Sequence, residues 1–388
     1  MQDMRILISP MPVMARTAGP SSRAAALARA CVAANVPTAL CAASGVNDVR
    51  VEGVMRYPLD VPQPFGLPKA LASRTYPLAE KLGIMGRKPV RSFEEALHIT
   101  GAITYPYLEK SVAQLRCAIA DFKPSVVYSE FCIPAIVAAR LEGVRLACSI
   151  SYPALPGYAS SPNYAKDINR FLAEHGMPQV RSCLDLIANA DMRFVPSCPT
   201  LEPIEDDTAM FVGPFSHPST HAASDMRDCL VVYMGVGTIA AKRLKNILVS
   251  AFASGKIDVF VAGCGVENKQ VGAVNFAPRF DFDTLLPRAC AFVNHGGQNS
   301  IMDGLLYGAP HIIYPGKVFE RIYNARSVAR CDAGITLDNT TFTPEGLREA
   351  LITITSDNRF GANARKLQRE LLDLGGAATV VAELRKQH

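Results

Sequence analysis

The residues best suited to chemistry lie between Ala291 and Asn324, in the string AFVNHGGQNSIMDGLLYGAPHIIYPGKVFERIYN. Ala291 to Asn294 is a short β-prone run, and His295, Gly296 and Gly297 make a tight turn after it. From Gln298 to Tyr307 the spacing is helical, with Ile301, Leu305 and Tyr307 on or near one face. Gly308 stops that helix, Pro310 guards the stop, and Ile312 to Tyr314 reads as the next strand. A glycine turn that enters a helix leaves backbone N–H groups unpaired at the positive end of the helix dipole, so an anion is stabilised there. Asn299 and Ser300 stand in the first turn, where they can add hydrogen bonds to a phosphate. Asp303 follows Ser300 by one turn on the same side. Its carboxylate can accept bonds from two neighbouring hydroxyls of a ribose.

His295, Gly296, Ser300, Asp303, Gly308 and Pro310 stand in the pattern of the donor site of the family-1 nucleotide-sugar glycosyltransferases, and the stretch resembles that site. Asp303 replaces the usual Glu, one methylene shorter and with the same chemistry. The resemblance implies an α/β protein of the GT-B fold, two Rossmann-like domains facing each other across a cleft. Residues 1–214 would bind the acceptor, 215–228 would be the linker, and 229–388 would bind the nucleotide sugar, with the last helix crossing back to the first domain. Gly213-Pro214 closes the first domain as Gly-Pro does in the family.

The same resemblance assigns further donor residues. Gly235 to Thr238 is a second strand-to-glycine-turn-to-helix sequence, in which Gly237 and Thr238 would face the diphosphate. Phe276-Ala277-Pro278-Arg279 stands where many members have Trp-Ala-Pro-Gln, so Phe276 would stack on the base and Arg279, which has only donors, would lie at its edge. Glu320 and Arg321 stand where the family has Asp-Gln, followed by Asn324-Ala325. Glu320 would accept from sugar hydroxyls. An arginine fork suits a carboxylate or phosphate, so Arg321 would contact an acidic group of the donor or pair with Glu320. His295 would donate to the diphosphate, with Gly297, Asn299 and Ser300 beside it.

The first domain departs from the pattern. Most members carry a His at the start of the first helix, which takes the acceptor's proton. That position here is Pro20, and no His precedes His98. Gly19, Pro20 and Ser21 would still lie on the acceptor side. Glu130 falls where the family's Asp ends a strand and holds the His. It would open on the cleft and either act as the base or orient whatever does. Three other readings stand beside it: a helix-capping acid at Glu130, a Ser21 or Ser22 that positions the acceptor without a base, and a His98 that reaches the cleft.

The overall reading is an inverting glycosyltransferase that moves a sugar from a nucleoside-diphosphate sugar, with uridine the commonest base in the family, to a small-molecule or lipid acceptor. A catalytically silent homologue that binds a nucleotide sugar or a partner enzyme, and a GT-B sugar-nucleotide epimerase, are the alternatives. No metal or cofactor is implied beyond the donor itself.

The rest of the chain must position these groups. At 388 residues the length suits two domains, and a net charge of +5 without Lys/Arg blocks gives no sign of nucleic-acid binding. The eleven cysteines form no Cys-x-x-Cys pair or zinc spacing, which points to reduced thiols and a cytoplasmic home. The apolar run Ile6 to Met14 is broken by Pro10 and Pro12 and is too short to span a bilayer, so membrane contact is at most peripheral. Met4 to Ser9 reads as the first strand, with a loop to Pro20 and a helix capped by Ser21 or Ser22 whose apolar positions are Ala24, Leu27, Ala28 and Cys31. Thr38 to Ala42 is the second strand, which predicts a parallel sheet with right-handed crossovers. Residues 55 to 110 are broken by prolines and carry Tyr57, Phe65, Tyr76, Phe93, Tyr105 and Tyr107. Ser92 to Phe122 reads as helical, Ser125 to Ser129 and Leu146 to Ile150 as strands, and Tyr152 to Tyr164 as a proline-rich loop on the cleft wall. Arg359 to Lys386 reads as helical, broken at Gly375-Gly376.

Overall fold

A computed structural model describes residues 4–14, 19–44, 48, 50–64, 89–216, 227–235, 237–263 and 266–387. The expectations for Phe65, Tyr76, Val236 and most of the linker (217–226) lie outside these residues.

The strands are β1 (Ile6–Pro10), β2 (Thr38–Ala42), β3 (Met55–Pro58), β4 (Val126–Glu130), β5 (Arg145–Ser149), β6 (Met192–Val195), β7 (Ala209–Phe211), β8 (Cys229–Tyr233), β9 (Asp258–Ala262), β10 (Lys269–Val271), β11 (Val274–Ala277), β12 (Ala289–Asn294), β13 (His311–Ile313) and β14 (Gly334–Thr336). They form two seven-stranded sheets, ordered β3-β2-β1-β4-β5-β6-β7 and β10-β11-β9-β8-β12-β13-β14. Every described pairing is parallel except β10 with β11. Central strands such as ILISP and ACAFVN are buried along their whole length, as strands covered by helices on both faces must be. In each sheet the chain first grows one way and then the other, reversing between β1 and β4 in the first and between β8 and β12 in the second. Open α/β sheets bind ligands at such a reversal, beyond the carboxyl ends of the strands.

The helices are α1 (Gly19–Ala33), α2 (Phe93–Thr100), α3 (Tyr105–Phe122), α4 (Ile133–Leu141), α5 (Lys166–Glu174), α6 (Cys183–Ala188), α7 (Ala241–Phe252), α8 (Phe282–Leu285), α9 (Gln298–Leu306), α10 (Phe319–Arg330), α11 (Pro344–Ser356), α12 (Asn358–Asp373) and α13 (Ala377–Lys386). Ala24, Leu27, Ala28 and Cys31 face the first sheet as their spacing requires. The helix starts earlier than expected, however. Pro20 takes a first-turn place where its missing N–H costs nothing, so Ser21 and Ser22 lie within α1 and do not cap it. The single helix expected from Ser92 to Phe122 is two helices. Gly101 ends α2 in a left-handed conformation, and Thr104-Tyr105-Pro106 starts α3. Residues 152 to 165 form three short 3₁₀ turns.

The two sheets are tied together. Ala377, Val380, Val381 and Leu384 of α13 pack into one apolar cluster with Ile6, Ile8 and Leu27. A second cluster joins Cys198 and Leu201, which follow β6, to Ile301, Leu305 and Val328 of the second sheet's helices. Val90 pairs with Val318 in a parallel bridge that links the segment before α2 to the start of α10.

Candidate functional site

The two glycine turns lie side by side. β12 pairs with β8 in parallel, with Asn294 beside Tyr233, so His295-Gly296-Gly297 and the residues Gly235, Gly237 and Thr238 leave the carboxyl edge at the reversal of the second sheet. The His295 turn is held by its neighbours. Asn294 Oδ1 accepts from Gly296 N at 2.8 Å, and Asn324 Nδ2 donates to Gly296 O at 2.8 Å. Gly296 has φ near +79°, and a Cβ there would lie 2.8 Å from the carbonyl oxygen of Arg321. A side chain would therefore suffer both backbone strain and collision. Behind the turn, Asn294 Nδ2 lies 2.8 Å from Nδ1 of the fully buried His311.

Gly297 precedes α9, and no side chain caps the free N–H groups of that helix. His295 is 9% exposed, its ring packs against Gly235 and Gly297, and its Nδ1 has no partner. Burial and the nearby Arg321 hold its pKa down at about 3, while a hydrogen bond to the Tyr233 backbone acts the other way. The imidazole is therefore neutral. Ser300 is buried at the start of α9. Asp303, half-buried one turn further on, makes no hydrogen bond among the described residues, and burial followed by repulsion from Asp283 raises its pKa to about 7.

Other assigned donor residues have moved. Phe276 is 7% exposed and belongs to the apolar core of the second sheet, so it offers no open face for base stacking, and Arg279 beyond it is exposed. The alternation of β11 turns Val274 and Phe276 inward together. Arg321 makes no ion pair with Glu320. Its Nη1 donates to Thr238 Oγ1 at 2.7 Å, bracing the start of α10 against the β8 turn, and burial lowers its pKa. Glu320 is left half-buried beside it, with no hydrogen bond among the described residues.

Across the cleft, Glu130 ends β4 at the reversal of the first sheet, opposite Pro10 of β1. It does not open on the cleft as expected. Its carboxylate is fully buried, with Oε1 2.6 Å from Nε of Arg23 and Oε2 accepting from Ser149 Oγ. Both oxygens are engaged and the group is fully buried, so it presents no exposed oxygen to an acceptor. It does not cap α4 either, since Cys132 precedes that helix and no side chain bonds its N-terminus. Gly19, Pro20 and Ser21 form the first turn of α1 and are half-buried. His98 packs against Tyr164 at 5.1 Å between ring centroids.

Arg23 was not foreseen. Its Nη1 reaches Asn299 Oδ1 at 3.0 Å, so α1 of the first sheet touches the first turn of α9. A cavity of about 590 Å³ opens beside this contact, lined by Arg23, Arg29, Asn299, Met302, Asp303 and Pro214 among others. It takes in Asn299 and Asp303 of the assigned residues but not His295, Thr238, Glu320 or Arg321. Two more contacts cross between the sheets. Tyr152 stacks on Tyr323 at 5.1 Å and 16°, and the buried Glu202 accepts from Tyr152 N at 2.6 Å and from Gln298 Nε2 at 3.2 Å. Burial raises Glu202 to a pKa of about 7.

Two facing α/β sheets with paired glycine turns at one reversal define a GT-B protein. The solved glycosyltransferase of kitacinnamycin matches the whole chain at a TM-score of 0.76 and 19% identity, covering 100% of both chains. Spinosyn rhamnosyltransferase SpnG complexed with thymidine diphosphate matches 98% of this chain and all of its own at a TM-score of 0.67 and 16% identity. Residues 267–386 match the erythromycin biosynthesis protein CIII-like C-terminal domain. Aclacinomycin-T 2-deoxy-L-fucose transferase of Streptomyces galilaeus is 31% identical over 117 residues, a match that spans 30% of this chain and only 26% of that protein. The chain thus has the GT-B fold of these solved glycosyltransferases, and its residues 267–386 match the EryCIII-like C-terminal domain.

Proposed function

We propose that this protein is an inverting glycosyltransferase that moves a sugar from a pyrimidine nucleoside-diphosphate sugar to a small-molecule acceptor. The observation that carries this reading is the uncapped N-terminus of α9, set beside the Gly235–Thr238 turn and followed one turn on by an unbonded Asp303. The free N–H groups and the neutral His295 suit a diphosphate, and Asp303 suits the sugar hydroxyls of the nucleoside. Glu320, unpartnered at the start of α10, suits hydroxyls of the sugar to be moved. Uridine is the family's commonest base, and the thymidine diphosphate bound by a structural neighbour widens the choice to the two pyrimidines. The acceptor lies on the side of α1 and the Tyr152–Tyr164 turns.

Among the described residues all ten cysteines are free, and no helix is long and apolar enough to cross a membrane; both support a cytoplasmic enzyme. The experiment is calorimetry with uridine and thymidine diphosphates. It is followed by incubation of labelled sugar nucleotides with cell extract, read by mass. Binding of either diphosphate and appearance of a glycosylated small molecule are expected. Absence of any nucleotide binding would remove the proposal, while binding without a glycosylated product would leave a silent homologue.

A further inference from the structure

Arg23 neutralises the buried Glu130 and still has donors left over. It lies one turn into α1, three residues after Pro20, and its side chain is 12% exposed. Nε holds Glu130 at 2.6 Å, Nη1 reaches Asn299 across the cleft at 3.0 Å, and the guanidinium carbon stands 5.8 Å from the centre of the Phe131 ring. Glu130 is itself fixed by Ser149, so the arginine is held rigidly from behind. A guanidinium carries five N–H donors. Two are used here, and the other three have no acceptor among the described residues. Arg23 lines the cavity that Asn299 and Asp303 also line. Through Asn299 it touches the uncapped first turn of α9, and the turn before that helix carries His295, whose buried Nδ1 has no partner. A cation with spare donors set against an uncapped helix N-terminus makes the surroundings of an anion.

We infer that Arg23 is a donor-binding residue, supplied by the acceptor-side sheet, whose guanidinium grips the diphosphate and takes up the charge of the departing nucleoside diphosphate. The inference rests on the nucleotide-sugar reading given above. In the transfer, the acceptor oxygen bonds to the anomeric carbon as the bond from that carbon to the β-phosphate oxygen breaks. The electron pair of that bond stays on the phosphate oxygen, which gains the negative charge, and the acceptor's proton passes to water. A planar fork suits two phosphate oxygens better than an ammonium does. Glu130 sets the angle of the fork and leaves the outer N–H groups free. Because Arg23 belongs to α1, its grip also draws the two sheets together over the donor.

The test separates phosphate binding from support of Glu130. Arg23→Gln leaves a buried carboxylate unpaired and can fail to fold for that reason alone, so the decisive variant is Arg23→Gln with Glu130→Gln, in which both groups are neutral. Calorimetry compares the nucleoside, which lacks phosphate, with its diphosphate. In the double variant, diphosphate affinity should fall by about 10- to 100-fold, with the nucleoside binding as it does to wild type. Arg23→Lys should recover only part of the diphosphate affinity. Diphosphate affinity within about twofold of wild type in a folded double variant would show that Arg23 only neutralises Glu130, and would overturn the inference. Wild-type protein that binds no nucleoside diphosphate would instead overturn the proposed function, and this inference with it.

Discussion

Asp303→Asn should change how stability depends on pH, by an amount the structure sets. The carboxyl sits one turn into α9, with no hydrogen-bond donor among the described residues, and burial and the neighbouring Asp283 raise its pKa from 3.8 to about 7. A carboxyl that titrates higher in the folded chain than in the unfolded one keeps a proton on folding between those two values. The folded state then binds more protons, and stability falls as pH rises from about 4 to about 7. The full shift corresponds to about 4 kcal/mol. Asp303 keeps some contact with water, which reduces the effect to about 2–4 kcal/mol. The wild-type curve alone will not isolate it. His295 and His311, both held near 3 by burial, act in the opposite sense, losing stability as pH falls below their unfolded value of 6.5. The difference between wild type and Asp303→Asn cancels these contributions. Urea unfolding at pH 4.5 and pH 8 should show the variant gaining about 2–4 kcal/mol relative to wild type at the higher pH. Parallel curves for the two proteins would refute the reasoning. Uridine diphosphate should bind the variant more weakly, because an uncharged amide accepts less strongly from the ribose hydroxyls.

Glu202→Gln removes a second carboxyl raised by burial, from 4.5 to about 7; melting temperatures should show the variant gaining on wild type as pH rises from 5 to 8, and no relative gain would count against burial as the cause. Asn324→Ala strips the donor from the carbonyl of Gly296, which should lower stability by about 1–3 kcal/mol and weaken diphosphate binding in the same calorimetric assay. Glu130→Gln breaks a buried ion pair and should cost about 3 kcal/mol of stability in urea unfolding; a hundredfold loss of turnover with unchanged stability would instead make Glu130 a base and contradict the closed pair.

The second sheet was more legible in the sequence than the first. His295, Gly296, Ser300 and Asp303 act locally, on a turn and the helix directly after it, so their spacing carries their geometry. The strand β12 and helix α9 follow from the same few residues. Phe276 was misjudged because its role depends on what lies over β11, a packing fact no local pattern contains. The partner of Arg321 is Thr238, 83 positions away, and its bond to the β8 turn could not be seen from its neighbour Glu320. In the first sheet, strand β3 was hidden by the prolines at 58 and 62. The short strand β14 left too few apolar residues to register. Arg23 had no signal at all. Its two partners lie 107 and 276 positions along the chain, and only the fold brings them together.

The contact of Arg23 with Glu130 changes what the first sheet can contribute. Where a histidine at Pro20 would have been a base with a carboxylate behind it, the carboxylate here stands behind a cation one turn later. An arginine stays charged throughout the working range and accepts no proton, and the carboxylate it holds has both oxygens engaged. On the role inferred for Arg23, the chemical help shifts from the attacking oxygen to the leaving group. Stabilising the departing diphosphate lowers the barrier for any acceptor, but it does nothing to remove the acceptor's proton. On the proposed function, such a site serves hydroxyls that are acidic on their own. A phenol, with a pKa of about 10, is ionised to about one part in a thousand at pH 7, far more than an aliphatic alcohol, which depends more heavily on a base. On this reading, Pro20 and Arg23 together move the help in the cleft from activating the acceptor to holding the leaving group.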